Sequence, residues 1–364
     1  MSAPTSPTSP SKPPEPGAAH PDSPLALTPP GTRIGLLFPG QGAQRPGMDE
    51  PWRDTEHWQV VERLSEACAR DLGELLLHTD ADRLTRTDNA QLATFTLDMV
   101  VLDALRTALG TLRPAVCAGH SLGEYAALTA AGVLDPEDAV RLVAERGAAM
   151  AEAAARVPGT MTVLVGPDVA RTAELLAGRL RTAARAEVWV ANVNGPDQVV
   201  VSGSPAGVTD LTERATATGA RAIRIPVGGA FHSPLMAAAR SRLATAVART
   251  PVRPGRCPVI ANVDGLAHQG DAPAVWRARM LGQLVLPVRW SDSMATLATL
   301  PGGPLRLVEL GPGRTLTGIG RRLLPAQVPV HPVATPAQLA ALVADGRPNR
   351  SAVRDRGVAG TPAG

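Results

Sequence analysis

At 364 residues, with 44% hydrophobic content and a net charge of +3, the chain reads as a soluble globular protein with one large domain or a large and a small one. Its charge is too weak and too evenly mixed to suggest nucleic acid, no apolar run reaches membrane-spanning length, and no basic-then-apolar leader opens it. Three scattered cysteines, Cys68, Cys117 and Cys257, fit neither a disulfide framework nor a zinc site and suit a reducing cytoplasm, while 2% aromatics leave Leu, Val and Ala to build the core.

Residues 1–32 are dense in Pro, Ser, Thr and Gly and are expected to be disordered, as is the similar tail 345–364. Between them strand-like and helix-like segments alternate, which predicts an α/β class with a mainly parallel sheet. The first strand, 33–38, runs into Pro39-Gly40-Gln41-Gly42-Ala43-Gln44. That loop lacks the Gly-Lys-Ser/Thr ending of a phosphate-binding loop, so it reads as bare backbone approaching a ligand or reacting centre. A helix at about 91–109 carries Leu92, Phe95, Met99, Leu102 and Leu105 on one face, a core stripe.

Residues 114–118 suit a buried strand and 124–131 a helix, and between them stands Gly119-His120-Ser121-Leu122-Gly123. Strand, glycine-flanked turn and helix make this G-x-S-x-G a nucleophile elbow that would expose Ser121. The Leu122 N–H, at the helix start, would face a developing oxyanion. The next helix opens on Asp135 as cap and Pro136 at its first position. Along it Arg141 and Glu145, four apart, are expected to pair on the surface. Arg146 instead falls on the apolar stripe of Leu142, Val143, Ala149 and Met150. A guanidinium there needs an anion, from an internal carboxylate or from a ligand gripped bidentately.

From about 155 to 227 the order is βαββαβ, a ferredoxin-like unit inserted in the larger domain, with a hairpin around Gly195-Pro196. A cleft between the two units is a natural ligand site. The domains expected are therefore 33–154 with 228–344, and 155–227. Of the histidines, His57 and His78 have polar helix-like surroundings, and His268 and His331 lie in loop-like stretches. His120 adjoins the serine at a turn that points the two apart. His232 remains, before Ser233 as cap and Pro234 as helix opener, where a helix dipole favours the neutral, proton-accepting imidazole. No acidic third member declares itself: Asp264, Asp271 and Asp292 all fit by spacing, and a backbone carbonyl would serve as well.

Together these residues resemble the malonyl-CoA:acyl-carrier-protein transacylases, including the acyltransferases of polyketide synthases. The motifs are Phe38–Gln44, Gly119–Tyr125, Glu145–Gly147, Ala191–Asn194, Ala230–Met236, Gln283–Trp290 and Glu309–Gly313, all in the family's order. The resemblance implies an α/β-hydrolase-like large domain with a ferredoxin-like insertion and the site between them. It further implies Ser121 as nucleophile, His232 as base and acid, and the main-chain carbonyl of Gln283 orienting His232. The Gln41 and Leu122 N–H groups would form the oxyanion hole, and Arg146 would bind the free carboxylate, with Asn192 and Asn194 near the cleft. Ala230-Phe231-His232-Ser233 resembles the malonyl-selecting form of its loop, in which Phe231 crowds an α-methyl; Gly229 stands where the motif often has His, and Gly is common in free-standing enzymes.

The activity so implied is malonyl transfer from a coenzyme A thioester to the phosphopantetheine thiol of an acyl carrier protein, in polyketide or fatty acid synthesis. It needs no metal or redox cofactor, and a cytoplasmic monomer would perform it. Four alternatives stand beside it: a hydrolase that clears acyl groups from carrier proteins, an acyltransferase for an α-substituted malonyl extender, an esterase using Ser121, Asp264 and His331, and a silent carrier-binding module.

Overall fold

The computed structural model describes residues 31–182 and 187–345. The arm and tail expected to be disordered lie, apart from their innermost residues, outside the described residues. In chain order the elements are β1 (Arg33–Phe38), α1 (Gln59–Cys68), α2 (Leu72–Leu77), α3 (Ala81–Thr85), α4 (Thr87–Leu109), β2 (Val116–Gly119), α5 (Gly123–Ala130) and α6 (Pro136–Arg156). They continue as β3 (Thr160–Val165), α7 (Val169–Thr182), β4 (Val188–Gly195), β5 (Gln198–Gly203), α8 (Pro205–Ala217), β6 (Arg221–Ile225) and α9 (Ala237–Arg249). The last are β7 (Val259–Ile260), β8 (Ala267–His268), α10 (Pro273–Gln283), α11 (Trp290–Ala298), β9 (Leu305–Leu310), α12 (Thr315–Leu323), β10 (Val330–Val333) and α13 (Pro336–Asp345). No helix among the described residues is long and apolar enough to cross a membrane.

Two sheets carry the architecture. The larger has six strands in the order β10-β9-β1-β2-β7-β8, parallel except where β8 turns back on β7. Helices cover it, as a parallel sheet with apolar strands requires. Its register pairs Phe38 with Gly119 and Leu37 with Glu309. Three of the sequence motifs therefore leave the sheet side by side, at the carboxyl ends of β9, β1 and β2. That end of an open parallel sheet is where ligands bind.

The smaller sheet is antiparallel, β4-β5-β3-β6, with α7 and α8 packed on it. This is the βαββαβ order read from the sequence, and its core is separate: Leu164, Ala173, Val188, Val199, Val201 and Leu211. It meets the larger unit through a bridge from Asn192 to Val288, where the Val193 N–H donates to the Val288 carbonyl at 2.9 Å.

Local expectations fail at a few points. Arg141 does not pair with Glu145; it bonds Asp138 at 2.8 Å, while Glu145 takes Arg242 of α9 at 2.7 Å. A long side chain on a packed helix pairs with whichever charge lies nearest in space, and α9 crosses α6 there. Asp135 occupies the cap position but makes no cap hydrogen bond; its carboxylate pairs with Arg253. His268 and His331 lie in the short strands β8 and β10 and not in loops.

Candidate active site

The elbow is built on glycines for a steric reason. A Cβ on Gly119 would lie 1.9 Å from the Gly123 carbonyl oxygen, and one on Gly123 would lie 2.1 Å from that of Phe38. Neither position tolerates a side chain, so β2, the turn and α5 close against β1 only with bare backbone. Ser121 takes φ of 53°, a left-handed conformation that costs a non-glycine residue about 1–3 kcal/mol. Asn262, just past β7, holds it there: its Oδ1 accepts the Ser121 N–H at 2.7 Å and its Nδ2 donates to the Gly119 carbonyl at 2.7 Å.

His232 arrives on the segment that returns from the small sheet, and it too is left-handed, with φ of 57°. Its Nδ1 donates to the Gln283 carbonyl at 2.8 Å, leaving Nε2 to accept from the Ser121 hydroxyl at 2.7 Å. That arrangement selects the tautomer a general base needs. Burial, and next the Arg146 charge, push the imidazole down from 6.5 to about 3, so it is neutral near pH 7. The helix after Ser233 begins as a 3-10 turn, Pro234–Met236, that runs on into α9.

The carboxylates considered as a third member are engaged elsewhere. Asp264 lies 2.9 Å from His268, Asp271 pairs with Arg279, and Asp292 with Arg289 at 2.7 Å. The esterase set is likewise not assembled, since β9 and β1 separate the strand of His331 from the strand that leads to Ser121.

Arg146 is fully buried on α6, facing the elbow. Nη1 donates to Gln91 Oε1 at 2.5 Å; Nη2 donates to Gln283 Oε1 at 3.0 Å and to Ser121 Oγ at 3.2 Å. Its Nε has no hydrogen-bond partner, and the guanidinium lies 5.5 Å above the Tyr125 ring. Among the described residues no carboxylate forms an ion pair with it. Its hydrogen bonds go to neutral oxygens alone, and the nearby Glu124 carboxyl acts on it only through space, in a site that a ligand carboxylate would complete.

Behind these groups lies a second row of polar side chains. Gln283 Nε2 donates to the Ser121 carbonyl at 3.0 Å and also to Glu124, whose other oxygen accepts the Asn262 N–H at 2.8 Å. Burial raises the Glu124 carboxyl to about 7. One residue, Gln283, thus orients the imidazole with its backbone and the guanidinium with its side chain. Sequence reading missed Asn262, Glu124 and Gln91. Glu124 sits within the quoted elbow motif, and Gln91 was overlooked because the apolar stripe around it reads as core. Asn262 follows a two-residue strand too short to stand out.

A cavity of about 330 Å³ opens in front of the serine. One side is the loop Pro39–Ala43 with His120, Ser121 and His232; the other is Met161, Val163, Val200 and Ile225 of the small sheet. Gln41 borders it, its side chain held by Thr87 Oγ1 at 2.8 Å. Leu122 stands at the N-terminus of α5. Asn192 and Asn194 line the cavity on β4, with Asn194 Oδ1 3.0 Å from His120 Nε2, and Phe231 lines it beside His232. Every site residue picked from the sequence is therefore at this cavity or hydrogen-bonded to a residue that is, save Leu122, which follows Ser121 in the elbow.

Comparison with known proteins agrees with this geometry. The acyl transferase domain family matches residues 36–355. The malonyl CoA-acyl carrier protein transacylase of Bacillus subtilis is 34% identical over 297 residues, covering 80% of this chain and 90% of that protein. Among solved structures, the enzyme of that name from Coxiella burnetii superposes with a TM-score of 0.80 at 33% identity, covering 90% of this chain and all of that one. A malonyl-transacylase solved in complex with a type II polyketide synthase acyl-carrier protein gives 0.78 at 30% identity, covering 86% and 100%.

Proposed function

The chain belongs to the acyltransferase family of malonyl CoA-acyl carrier protein transacylases, and we propose that Ser121, His232 and Arg146 carry that transfer here. It moves a malonyl group from malonyl-CoA to the phosphopantetheine thiol of an acyl carrier protein. The observation that carries the assignment of residues is the buried Arg146 guanidinium, 3.2 Å from Ser121 Oγ and in no ion pair with a carboxylate among the described residues. It supports an acyl group ending in a carboxylate, held so that its thioester carbonyl lies over the serine.

In the first half-reaction the Ser121 hydroxyl attacks the thioester carbon as Nε2 of His232 takes its proton. The oxyanion collects on the N–H groups assigned to Gln41 and Leu122, each worth about 10²–10³ in rate by comparison with other oxyanion donors. The C–S bond breaks, and the departing coenzyme A thiolate takes the proton from His232. In the second half-reaction His232 deprotonates the phosphopantetheine thiol and its sulfur attacks the malonyl-serine ester; the ester C–O bond breaks and His232 returns the proton to Ser121 Oγ. The Gln283 carbonyl keeps the imidazole turned through both halves. Asn192, Asn194 and Phe231 shape the acyl pocket, with Phe231 selecting malonyl over α-substituted malonyl. None of these steps calls on a metal or redox cofactor.

The reading extends to a large domain of 33–154 and 228–344, a small domain of 155–227, and a cytoplasmic monomer that binds carrier protein and no nucleic acid. Mass spectrometry of carrier protein incubated with enzyme and malonyl-CoA tests the assignment. Stable malonylation is expected with the wild type and none with Ser121→Ala. Loading that survives Ser121→Ala, or removal of a pre-loaded acyl group with no loading, overturns it.

A further inference from the structure

The strands that carry Ser121 at one end present a different cluster at the other. Before β2 and β7 begin, a pocket of about 600 Å³ is lined by Arg106, Arg113 and Arg256, with Cys257 in its wall. None of the three arginines forms an ion pair with a carboxylate among the described residues; Arg106 instead donates to the Ala130 carbonyl at 3.1 Å. Cys257 is 6% exposed, and its Sγ lies 3.7 Å from that of the fully buried Cys117 on β2. Both thiols are free.

We propose that this pocket is a thiol–disulfide exchange site for small anionic disulfides, with Cys257 as the attacking thiol and Cys117 as the resolving one. The arginines supply the anion selectivity, by raising the local concentration of a negatively charged reagent at the pocket mouth. The neighbours also suit the sequence of attack. The Cys117 thiol, Arg106 and Arg256 hold Cys257 below the ordinary thiol value although burial opposes them, while burial pushes Cys117 well up.

The Cys257 thiolate attacks one sulfur of the reagent; the reagent's S–S bond breaks, and its second half leaves as a thiolate. Cys117 then gives its proton to solvent and attacks Cys257 Sγ, expelling the first half as a thiolate. Two protein thiols are oxidised and one disulfide is reduced to two thiols. Closing the protein disulfide requires the sulfurs to approach by roughly 1.7 Å from their present contact. Cys68, on α1 and more exposed, has Arg70 and Arg141 nearby but no partner thiol, and serves as the internal control for the cysteine pair.

The test exposes reduced, full-length protein to equal concentrations of glutathione disulfide, coenzyme A disulfide and the cationic cystamine, followed by intact mass and peptide mapping. Both anionic reagents are expected to oxidise Cys257 at least about tenfold faster than cystamine, ending in a Cys117–Cys257 bond two hydrogens lighter than the reduced chain. Whichever of the two is faster identifies the better reagent. Cys117→Ser should stop at the mixed disulfide on Cys257, and Arg106→Ala with Arg256→Ala should lower the rate to that of cystamine. Equal rates for all three reagents, oxidation at Cys68 first, or a mixed disulfide that persists in the wild type would overturn the proposal. The wild-type mapping decides this even if a variant does not fold.

Discussion

The two walls of the cleft are built on opposite principles. The wall from the large sheet is polar, close-packed and held in left-handed backbone at Ser121 and His232. Its hydrogen bonds run through Asn262, Glu124 and Gln283 without a break. The wall from the small sheet presents Met161, Val163, Val200 and Ile225, with Asn192 and Asn194 of β4 beside them and no titratable group among the six. On the proposed assignment, the first wall does the chemistry and the second sizes the acyl group. Substitutions on the first should lower transfer for every acyl group; those on the second should change which acyl group is preferred.

The largest effects belong to the chemical wall. Ser121→Ala and His232→Ala should each lower malonyl-serine formation by at least about 10⁴-fold, as in other serine acyl-transfer sites, whereas His331→Ala should leave it within about twofold. Rapid-quench trapping of the acyl-enzyme measures all three. Loss of activity in His331→Ala alone would place the chemistry elsewhere.

Arg146→Ala comes next and sharpens the comparison, because Arg146 touches the nucleophile and is the proposed holder of the substrate carboxylate. Removing one partner of a buried charged contact costs about 2–5 kcal/mol, which is about 30-fold to 4,000-fold on malonyl loading. Acetyl-CoA, lacking the carboxylate, should lose far less. Equal losses with both substrates would reduce Arg146 to a structural role.

The same residue sets the acid limb of the pH profile. Burial and Arg146 depress His232 to about 3, so acylation should show no inflection near 6.5. In Arg146→Ala the inflection should move upward, toward 6.5, as that charge is lost. The sign on stability follows: a depressed folded value means the unfolded chain takes up the proton first. His232 therefore contributes stability that is complete above pH 6.5 and lost as pH falls toward 3. Histidine NMR titration of the two proteins measures the shift directly.

The sequence exposed the two walls unequally. Ser121, Arg146 and His232 were legible because each breaks a local rule: a serine between glycines, a charge on an apolar stripe, a histidine at a helix start. The small sheet was legible because its strands and helices alternate within a short span. The polar row behind the site was not. Asn262 meets Ser121 across 141 positions, and no local pattern encodes a contact that only the pairing of β2 with β7 creates. Surface pairs failed for the same reason, as Arg242 of α9 took the Glu145 that helical spacing had assigned to Arg141.

Beside His232, where the two walls meet, Phe231→Leu should open the space beside an α-carbon. Competition between malonyl- and methylmalonyl-CoA should shift toward methylmalonyl by about tenfold, the effect of a methyl-sized contact. The rate of malonyl transfer should stay within about threefold. A matched fall in both would mean that Phe231 supports His232 and does not select substrate.

The smallest effect tests how far the walls are separable, at one of the hydrogen bonds that join them. Ser202 of β5 donates its buried hydroxyl to the Phe231 carbonyl at 2.7 Å. The small sheet thereby fixes the segment that carries both Phe231 and His232. Ser202→Ala removes about 1 kcal/mol of net hydrogen bonding and leaves that carbonyl without this donor. If the tie chiefly positions the Phe231 ring, discrimination against methylmalonyl should weaken by up to about fivefold. Malonyl transfer should then change less than twofold, since the Gln283 carbonyl and Ser121 hold His232 independently at 2.8 and 2.7 Å. A larger loss in transfer than in selectivity would show that the small sheet also positions the base, and the division between chemical and shaping walls would fail at this bond.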